Sequence, residues 1–282
     1  MRKAHLRKWI FSGLLVFSTV FFSADISAAA ENECGTHGED IVHQAYPTAQ
    51  KTAELEFNIG NATLRLPADT FIGSDPHVIV CRLWPANPDL MLVAVPLMTK
   101  LSDYENEGDL DILVVENKSL QLRQRLRVTG IMNDDAIRIR GMTFDTARYQ
   151  LAPGKTAFGI RIETEGSSRA NPFSDTTLRL YTIDGERLRS VLDNIVVREN
   201  VGEWDTTCAG NFQTTTRTLT MARRTHWGAA DIVVTETEAP SIFKVMSDGQ
   251  CESFDEKKQI RKIQVTYDGK VYVVPRGLKR EY

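Results

Sequence analysis

The chain has 282 residues, of which 42% are hydrophobic and 25% charged, with 34 basic against 37 acidic residues. This length suffices for one large domain or two small ones. The slightly acidic balance excludes a protein that relies on clustered positive charge to bind nucleic acid.

The first 30 residues predict a secretory signal peptide. A basic start, MRKAHLRK, precedes the apolar run WIFSGLLVFSTVFF and the small-residue ending SADISAAA. This order is typical of a signal cut after an Ala-x-Ala sequence, here after Ala30, and the apolar run is too short for a membrane span. An uncleaved anchor is the alternative. We expect an exported protein, periplasmic or secreted, with a net charge of about −6 and no membrane attachment after cleavage.

The exported chain divides into a short entry segment and a long β-rich region. We expect residues 31–52 to be a mobile N-terminus and 53–282 to be the folded domain, with two sub-parts meeting near 165–175. The stretch CGTHGEDIVH in the entry segment combines cysteine, histidine and acidic residues. A metal site there is the weaker interpretation, because a chain terminus of this kind is expected to move.

Period-two alternation of apolar and polar residues is the main secondary-structure signal. In SLQLRQRLRV (119–128) leucine alternates with arginine, and AIRIRGMTF (136–144) repeats the pattern. Asp-Gly pairs at 184–185, 248–249 and 268–269 predict hairpin turns. RLRSVLDNIV fits a short helix or a strand pair. Further strands are predicted in AELEFNI, HVIVCRLW, LMLVAVPL, TAFGIRIET, TLRLYTI, FQTTTRTLTM, ADIVVTE, IRKIQVTY and KVYVVP, so the protein is expected to be all-β.

The four cysteines predict two disulfides. Cys34, Cys81, Cys208 and Cys251 all follow the signal, and an even number in an exported chain is typical of a disulfide-bonded protein. Three pairings exist. We favour Cys34–Cys81 with Cys208–Cys251, because each bond then lies within one half of the chain. Free buried thiols are the alternative.

Short motifs recur at intervals near 40 residues or multiples of that length. GDLDILVV (108–115) matches GAADIVVT (228–235) in the pattern G-x-x-D-I-[LV]-V, and TFDTARY, TIDGERL and TYDGKVY begin at Thr143, Thr182 and Thr266. Repetition at this length predicts a β-propeller-like array of short antiparallel sheets. The alternative is a β protein that reuses similar hairpins.

The stretch SDYENEGDLDILVV (102–115) is the candidate metal site. Its Asp103, Glu105, Glu107 and Asp111 occupy positions one, three, five and nine of a calcium-loop register, with Gly108 at position six. The spacing fits Ca²⁺, although glutamate at positions three and five is longer than the usual Asp or Asn. A solvated acidic turn is the alternative.

The second copy of the motif offers an internal comparison. Before GAADIVVT, the equivalent positions hold Arg223, Thr225 and Trp227, which cannot bind calcium. The shared part of the motif therefore serves the architecture, and we expect Asp111 and Asp231 to cap backbone N–H groups.

DYENEGDLDILVV resembles the D-x-N-x-D-G-x-x-D-L-V-V loop of FG-GAP and VCBS-type propeller repeats, with Glu for Asn and Glu for Asp. GAADIVVT is similar to the second half of that loop. Such loops also occur in exported propeller-like proteins that inhibit lysozymes, including immunity proteins against wall-degrading toxins. The resemblance covers roughly residues 100 to 275 and implies a propeller-like fold and a periplasmic binding role. No inhibitor-specific key loop matches residue by residue.

The arginines of the alternating strands are the candidate partner surface, on the expectation that they share one exposed sheet face. Guanidinium groups bind carboxylates with fixed geometry, and lysozyme-type enzymes use acidic residues in their clefts. The alternative is a solvated face that discourages edge aggregation. The five residues are Arg123, Arg125, Arg127, Arg138 and Arg140.

The sequence predicts a binding protein rather than an enzyme, because it has no G-x-S-x-G, H-E-x-x-H or phosphate-loop motif. The most concrete hypothesis is a periplasmic inhibitor or immunity protein for a peptidoglycan-degrading, lysozyme-type enzyme. The alternatives are a non-enzymatic structural or assembly module of the cell envelope, and a hydrolase with an unrecognised site. Trp84, Trp204 and Trp227 are expected to be buried anchors rather than sugar-stacking platforms.

Overall fold

The structure, a computed structural model, describes residues 33–68 and 75–280. The predicted signal peptide, residues 1–30, lies outside the described residues. Within the part of the chain that is described, no helix is long and apolar enough to cross a membrane.

The described chain begins with a short helical segment packed against a sheet. A 3₁₀ turn, Gly35–His37, leads into helix α1, Gly38–Ala45. Ile41 is fully buried, and Cys34 is bonded to Cys81. From Glu33 onward, therefore, the segment expected to be mobile is held by a covalent bond and an apolar helix face. Two helical turns are too short to stand out as a period among the strand patterns.

The first sheet has seven antiparallel strands. Their bounds are β1 Gln50–Ala53, β2 Glu56–Ile59, β3 Ala62–Arg65, β4 Val80–Leu83, β5 Leu90–Lys100, β6 Glu107–Glu116 and β7 Leu122–Val128. The order is β1-β2-β3-β5-β6-β7, with β4 also paired to β5. Strands β5 and β6 are central and buried on both faces, which explains their nearly continuous apolar sequences.

The second sheet has eight antiparallel strands and is curled into a half-barrel. Its strands are β8 Ile137–Ala152, β9 Lys155–Gly166, β10 Phe173–Asp184, β11 Arg187–Trp204, β12 Gly210–His226, β13 Ala229–Val245, β14 Cys251–Asp255 and β15 Gln259–Val265. Strands β8 to β14 pair in chain order, and β15 pairs with β13. A second 3₁₀ turn, Arg276–Leu278, follows.

The buried apolar side chains that the structure describes form three clusters. One lies between α1 and the first sheet and includes Ile41 and Leu113. Another contains residues of both sheets, including Ile112 and Phe158, so the two sheets share a core. The third fills the curl of the second sheet and includes Leu180. Alternation on β6 sends Ile112 and Leu113 to opposite faces, which is why both faces are apolar.

The predicted all-β class and the two disulfides are confirmed. Cys34 pairs with Cys81 and Cys208 with Cys251, as favoured from the sequence. The propeller-like array of blades stays a prediction, since the described strands are grouped in two sheets. The chain passes from the first sheet to the second between β7 and β8. Residues 165–175, where two sub-parts were expected to meet, lie between β9 and β10, which pair with each other in the second sheet.

Of the individual turns and strands that the sequence predicts, two turns are confirmed and one strand is wrong. The Asp184-Gly185 and Asp248-Gly249 turns join β10 to β11 and β13 to β14, and RLRSVLDNIV is extended in β11. The predicted strand KVYVVP is wrong, because that segment contributes only a bridge between Tyr267 and Tyr272.

The tryptophans differ from one another. Trp84 is a buried anchor, as expected, with its ring 5.4 Å from that of Phe158. Trp227 is 79% exposed, so the expectation of burial is wrong there. Trp204 is half-buried at the end of β11.

Candidate functional site

The acidic stretch forms a turn before β6 that closes on the loop after β7. The Ser102 hydroxyl donates to the carbonyl of Glu105 at 2.6 Å, and Lys100 forms an ion pair with the Glu105 carboxylate. The Asn106 side-chain amide donates to Asp134 at 3.0 Å, and the two residues also exchange backbone hydrogen bonds of 2.9 and 3.0 Å. The turn therefore gets its shape from the protein's own hydrogen bonds.

Asp111, the last of the four predicted calcium ligands, is buried and bonded within the protein. The Tyr46 hydroxyl donates to its Oδ2 at 2.8 Å. Arg127 donates from Nε to Oδ1 at 2.7 Å and from Nη2 to Oδ2 at 3.0 Å. Burial and the neighbouring Asp111 carboxylate raise the pKa of Tyr46, and the hydrogen bonds to Asp111 raise the pKa of Arg127. Both carboxylate oxygens are therefore already engaged.

The structure does not bring the four predicted ligands together as one set. Among residues 33–68 and 75–280, no group of three or more His, Cys, Asp or Glu side chains is arranged to hold a metal. A calcium ion at Asp103, Glu105 and Glu107 would compete with Lys100, and at Asp111 with Arg127. The calcium site stays a prediction.

Asp231, which matches Asp111 in the repeated motif, is also a buried carboxylate on a strand. Asp231 on β13 is fully buried. Its carboxylate contacts His226 Nδ1 at 2.6 Å and accepts from the Gln264 amide at 2.5 Å. The expectation that Asp111 and Asp231 cap backbone N–H groups is therefore wrong, because side chains bind both of them: Arg127 and Tyr46 at Asp111, and His226 and Gln264 at Asp231.

A second Asp, Arg and Tyr trio repeats the arrangement around Asp111. Asp145 on β8 accepts from Arg161 Nε and from the Tyr149 hydroxyl, both at 2.8 Å. Burial and the Asp145 carboxylate raise the pKa of Tyr149, as happens at Tyr46. Both trios use a guanidinium group from the adjacent strand.

Glu236 is a buried carboxylate between two arginines. In the register of the second sheet it lies opposite Arg217 on β12 and Arg261 on β15. Arg217 Nε donates to it at 2.6 Å, and Arg261 also donates to it. Burial raises the pKa of Glu236, but the hydrogen bonds from Arg261 and Arg217 lower it more, so the net shift is downward. Glu236 is thus held in its ionised form.

The five arginines of the predicted partner surface do not share one sheet face. Three alternate along β7 in the first sheet, and two alternate along β8 in the second. Each of the five has a carboxylate close by: Arg123 pairs with Glu116, Arg125 and Arg127 with Asp111, Arg138 with Asp134, and Arg140 with Glu165.

A cavity of about 650 Å³ lies between the acidic turn and the second sheet. Its lining includes Glu105, Thr164 and Arg179, together with Arg280 from the C-terminal segment. Arg179 donates to Asp193 at 2.9 Å, and Arg280 donates from Nε to Asp175 at 2.6 Å. Both arginines of the lining are therefore paired with carboxylates of the protein. Sequence reasoning missed it, because Arg280 and Asp175 are 105 positions apart.

Comparison with known proteins adds no relative: no family model, curated protein or solved structure matches the chain.

Proposed function

We propose that this is an exported, non-enzymatic binding protein, most concretely an inhibitor or immunity protein for a lysozyme-type, peptidoglycan-degrading enzyme. Its two disulfides fit an oxidising compartment such as the periplasm. The resemblance of residues 102–115 to FG-GAP and VCBS-type loops supports this class of protein.

The observation that carries the proposal is the engagement of buried carboxylates by guanidinium groups. A general acid needs a raised pKa and a proton that it can pass to a substrate. Glu236 has a lowered pKa and two arginine partners, and Asp111 is fully buried with an arginine and a tyrosine on its oxygens. These carboxylates stabilise the sheets, which favours function by contact over function by proton transfer.

The contact surface that we propose is the arginine row on β7, which is the last strand of the first sheet. Arg125 and Arg127 project from the same face, about 7 Å apart, and Arg123 lies next to them on β7, where the register with β6 shifts. Their side chains are 52, 35 and 47% exposed, although each is held by a partner. A row of fixed, half-exposed guanidinium groups suits the carboxylates of a glycosidase cleft.

The test measures binding and inhibition with a panel of muramidases and peptidoglycan amidases. We expect the protein to slow at least one of them, and Arg123→Glu to weaken that inhibition at least tenfold. The matched control is Arg140→Glu, because Arg140 is 58% exposed and, like Arg123, forms an ion pair with a glutamate, here Glu165, but lies on the other sheet. If no enzyme is bound or slowed, the proposal is wrong. If both variants lose inhibition equally, the assignment to β7 is wrong.

The alternative function is a structural or assembly module of the envelope, favoured by the exposed edge of the second sheet. Strands β14 and β15 lie along one edge of β13. Val245, Phe254 and Ile260 there are 58, 42 and 68% exposed. Exposed apolar side chains at a sheet edge suit lateral contact with another protein. Gene deletion distinguishes the two functions: the alternative predicts an envelope defect without added sensitivity to wall-degrading enzymes.

A further inference from the structure

Three aromatic side chains share one face at the far end of the second sheet. Trp204 on β11 lies opposite Gly210 on β12, which lies opposite Phe243 on β13. Phe212 is two residues from Gly210, so strand alternation places it on the same face as Trp204 and Phe243. All three rings are half-buried.

Two glycines allow the Phe212 ring to lie against the backbone of the sheet. Gly202 is directly opposite Phe212, and a Cβ atom at Gly202 would overlap the ring at Cδ1. A Cβ atom at Gly210 would lie 2.8 Å from Cε2 of the same ring. The centroids of the Phe212 and Phe243 rings are 5.2 Å apart in an edge-to-face contact. The two glycines thus leave the space that the Phe212 ring occupies, which a residue with a Cβ atom would take up.

A row of uncharged polar side chains runs beside the aromatic rings on the same face. Ser174, Asn200 and Thr214 lie opposite one another on β10, β11 and β12. The Asn200 amide donates to the Ser174 hydroxyl, and the Thr214 hydroxyl donates to the Asn200 carbonyl, both at 3.0 Å. The second N–H of Asn200 and the remaining lone pairs of the hydroxyls are left to bind other groups.

The loop between β9 and β10 forms a wall beside this face. The backbone N–H of Trp204 donates to the carbonyl of Ala170 at 2.8 Å, and the backbone N–H of Gly202 donates to that of Pro172 at 3.0 Å. The cleft has a volume of about 580 Å³, within the range for small-ligand sites, and its lining contains the three rings and the three polar residues. The Cys208–Cys251 disulfide ties the two hairpins at this end of the sheet.

We propose that this surface binds a saccharide. A pyranose ring has an apolar C–H face, which packs on aromatic rings, and a rim of hydroxyl groups, which pair with amides and hydroxyls. The aromatic group and the adjacent Ser174, Asn200 and Thr214 row supply both parts on one face. The charged residues of the lining, Glu165 and Arg169, are of opposite sign, so the site favours a neutral sugar. This inference goes beyond the proposed function, because it requires no enzyme partner.

The experiment titrates the exported chain with tetrasaccharides of N-acetylglucosamine and of glucose, and measures binding by calorimetry and by tryptophan fluorescence. We expect at least one tetrasaccharide to bind, and Trp204→Ala and Asn200→Ala each to weaken binding at least tenfold. The control is Trp227→Ala. Trp227 is 79% exposed but sits at the opposite end of the β12–β13 hairpin, so its loss leaves binding unchanged.

The outcomes are separable. Circular dichroism of every variant establishes folding, and Asn200→Ala keeps all three rings in case the aromatic variant unfolds. Absence of binding of both tetrasaccharides at millimolar concentration overturns the proposal. Equal affinity of the Trp204 and Trp227 variants, or binding of an apolar proline-rich peptide without either sugar, overturns it as well. Failure of the inhibition assays leaves this result untouched.

Discussion

Arg127 lies directly opposite Asp111 across β6 and β7, and its Nε atom is 2.7 Å from a carboxylate that has no exposure to solvent. The Tyr46 hydroxyl bonds the other oxygen at 2.8 Å. Asp111, which the sequence predicts to be a calcium ligand, therefore forms hydrogen bonds that join β6 to β7 and to Tyr46, the residue that follows α1. The trio around Asp145 shows that the protein uses this arrangement more than once.

Replacing Asp111 with alanine tests this relationship. We expect the free energy of unfolding to fall by about 3 kcal/mol, because Arg127 and Tyr46 lose their shared partner. Urea unfolding measures the change. The control, Asp103→Ala, removes an exposed acid from the same stretch and should stay within about 0.5 kcal/mol of the parent. Equal midpoints for the two variants would show that the buried pair contributes little.

The stability of the protein in acid should depend on Glu236. Its pKa is lowered below the ordinary value of 4.5, so its contribution is fully present above that pH and is lost as pH falls through the lower, folded-state pKa. We expect Glu236→Gln to flatten the loss of unfolding free energy that begins as the pH falls below about 4.5.

The matched control for Glu236 is Glu238→Gln. Glu238 also lies near Arg261, at 3.7 Å, but its side chain is 29% exposed rather than buried. We expect this variant to keep the parent's acid dependence. A Glu236→Gln curve that runs parallel to the parent's would contradict the assignment.

The Cys208–Cys251 disulfide should stabilise the far end of the second sheet. The bond spans 43 positions, and closing a loop of that size lowers the entropy of the unfolded chain by an amount worth about 4 kcal/mol. We expect Cys208→Ser with Cys251→Ser to lower the midpoint of thermal unfolding. Hydrogen exchange should locate the loss of protection in the ends of β12 and β13. Uniform loss across both sheets would contradict a local role.

The calcium prediction is tested by thermal unfolding in calcium and in chelator. A ligand that binds only the folded state raises the midpoint. We expect weak binding, with a rise at about 10 mM calcium and none at about 0.1 mM, because Lys100 and Arg127 already neutralise predicted ligands. Asp103→Asn should abolish the rise. Equal midpoints at the higher concentration would leave the acidic stretch as a turn only.

The sequence by itself determined the all-β class and two hairpin turns, and it favoured, among three possibilities, the disulfide pairing that the structure has. The strand class and the turns depend on neighbours along the chain. The alternation of apolar and polar residues shows that successive side chains lie on opposite faces of a strand. Gly185 and Gly249 adopt the positive φ angles, 63° and 83°, that their turns require. Alternation does not report what covers each face, and the α1 helix was missed because eight residues give too few turns.

Only the tertiary structure decided which partners the charged and aromatic residues have. Tyr46 meets Asp111 across 65 positions, and Arg280 meets Asp175 across 105. Such contacts depend on the register between strands and on how the sheets stack, and the arginines of β7 and β8 look alike in sequence although they lie in different sheets. The Phe212 surface has the same cause, because Gly202 leaves space for a ring only where the two strands align.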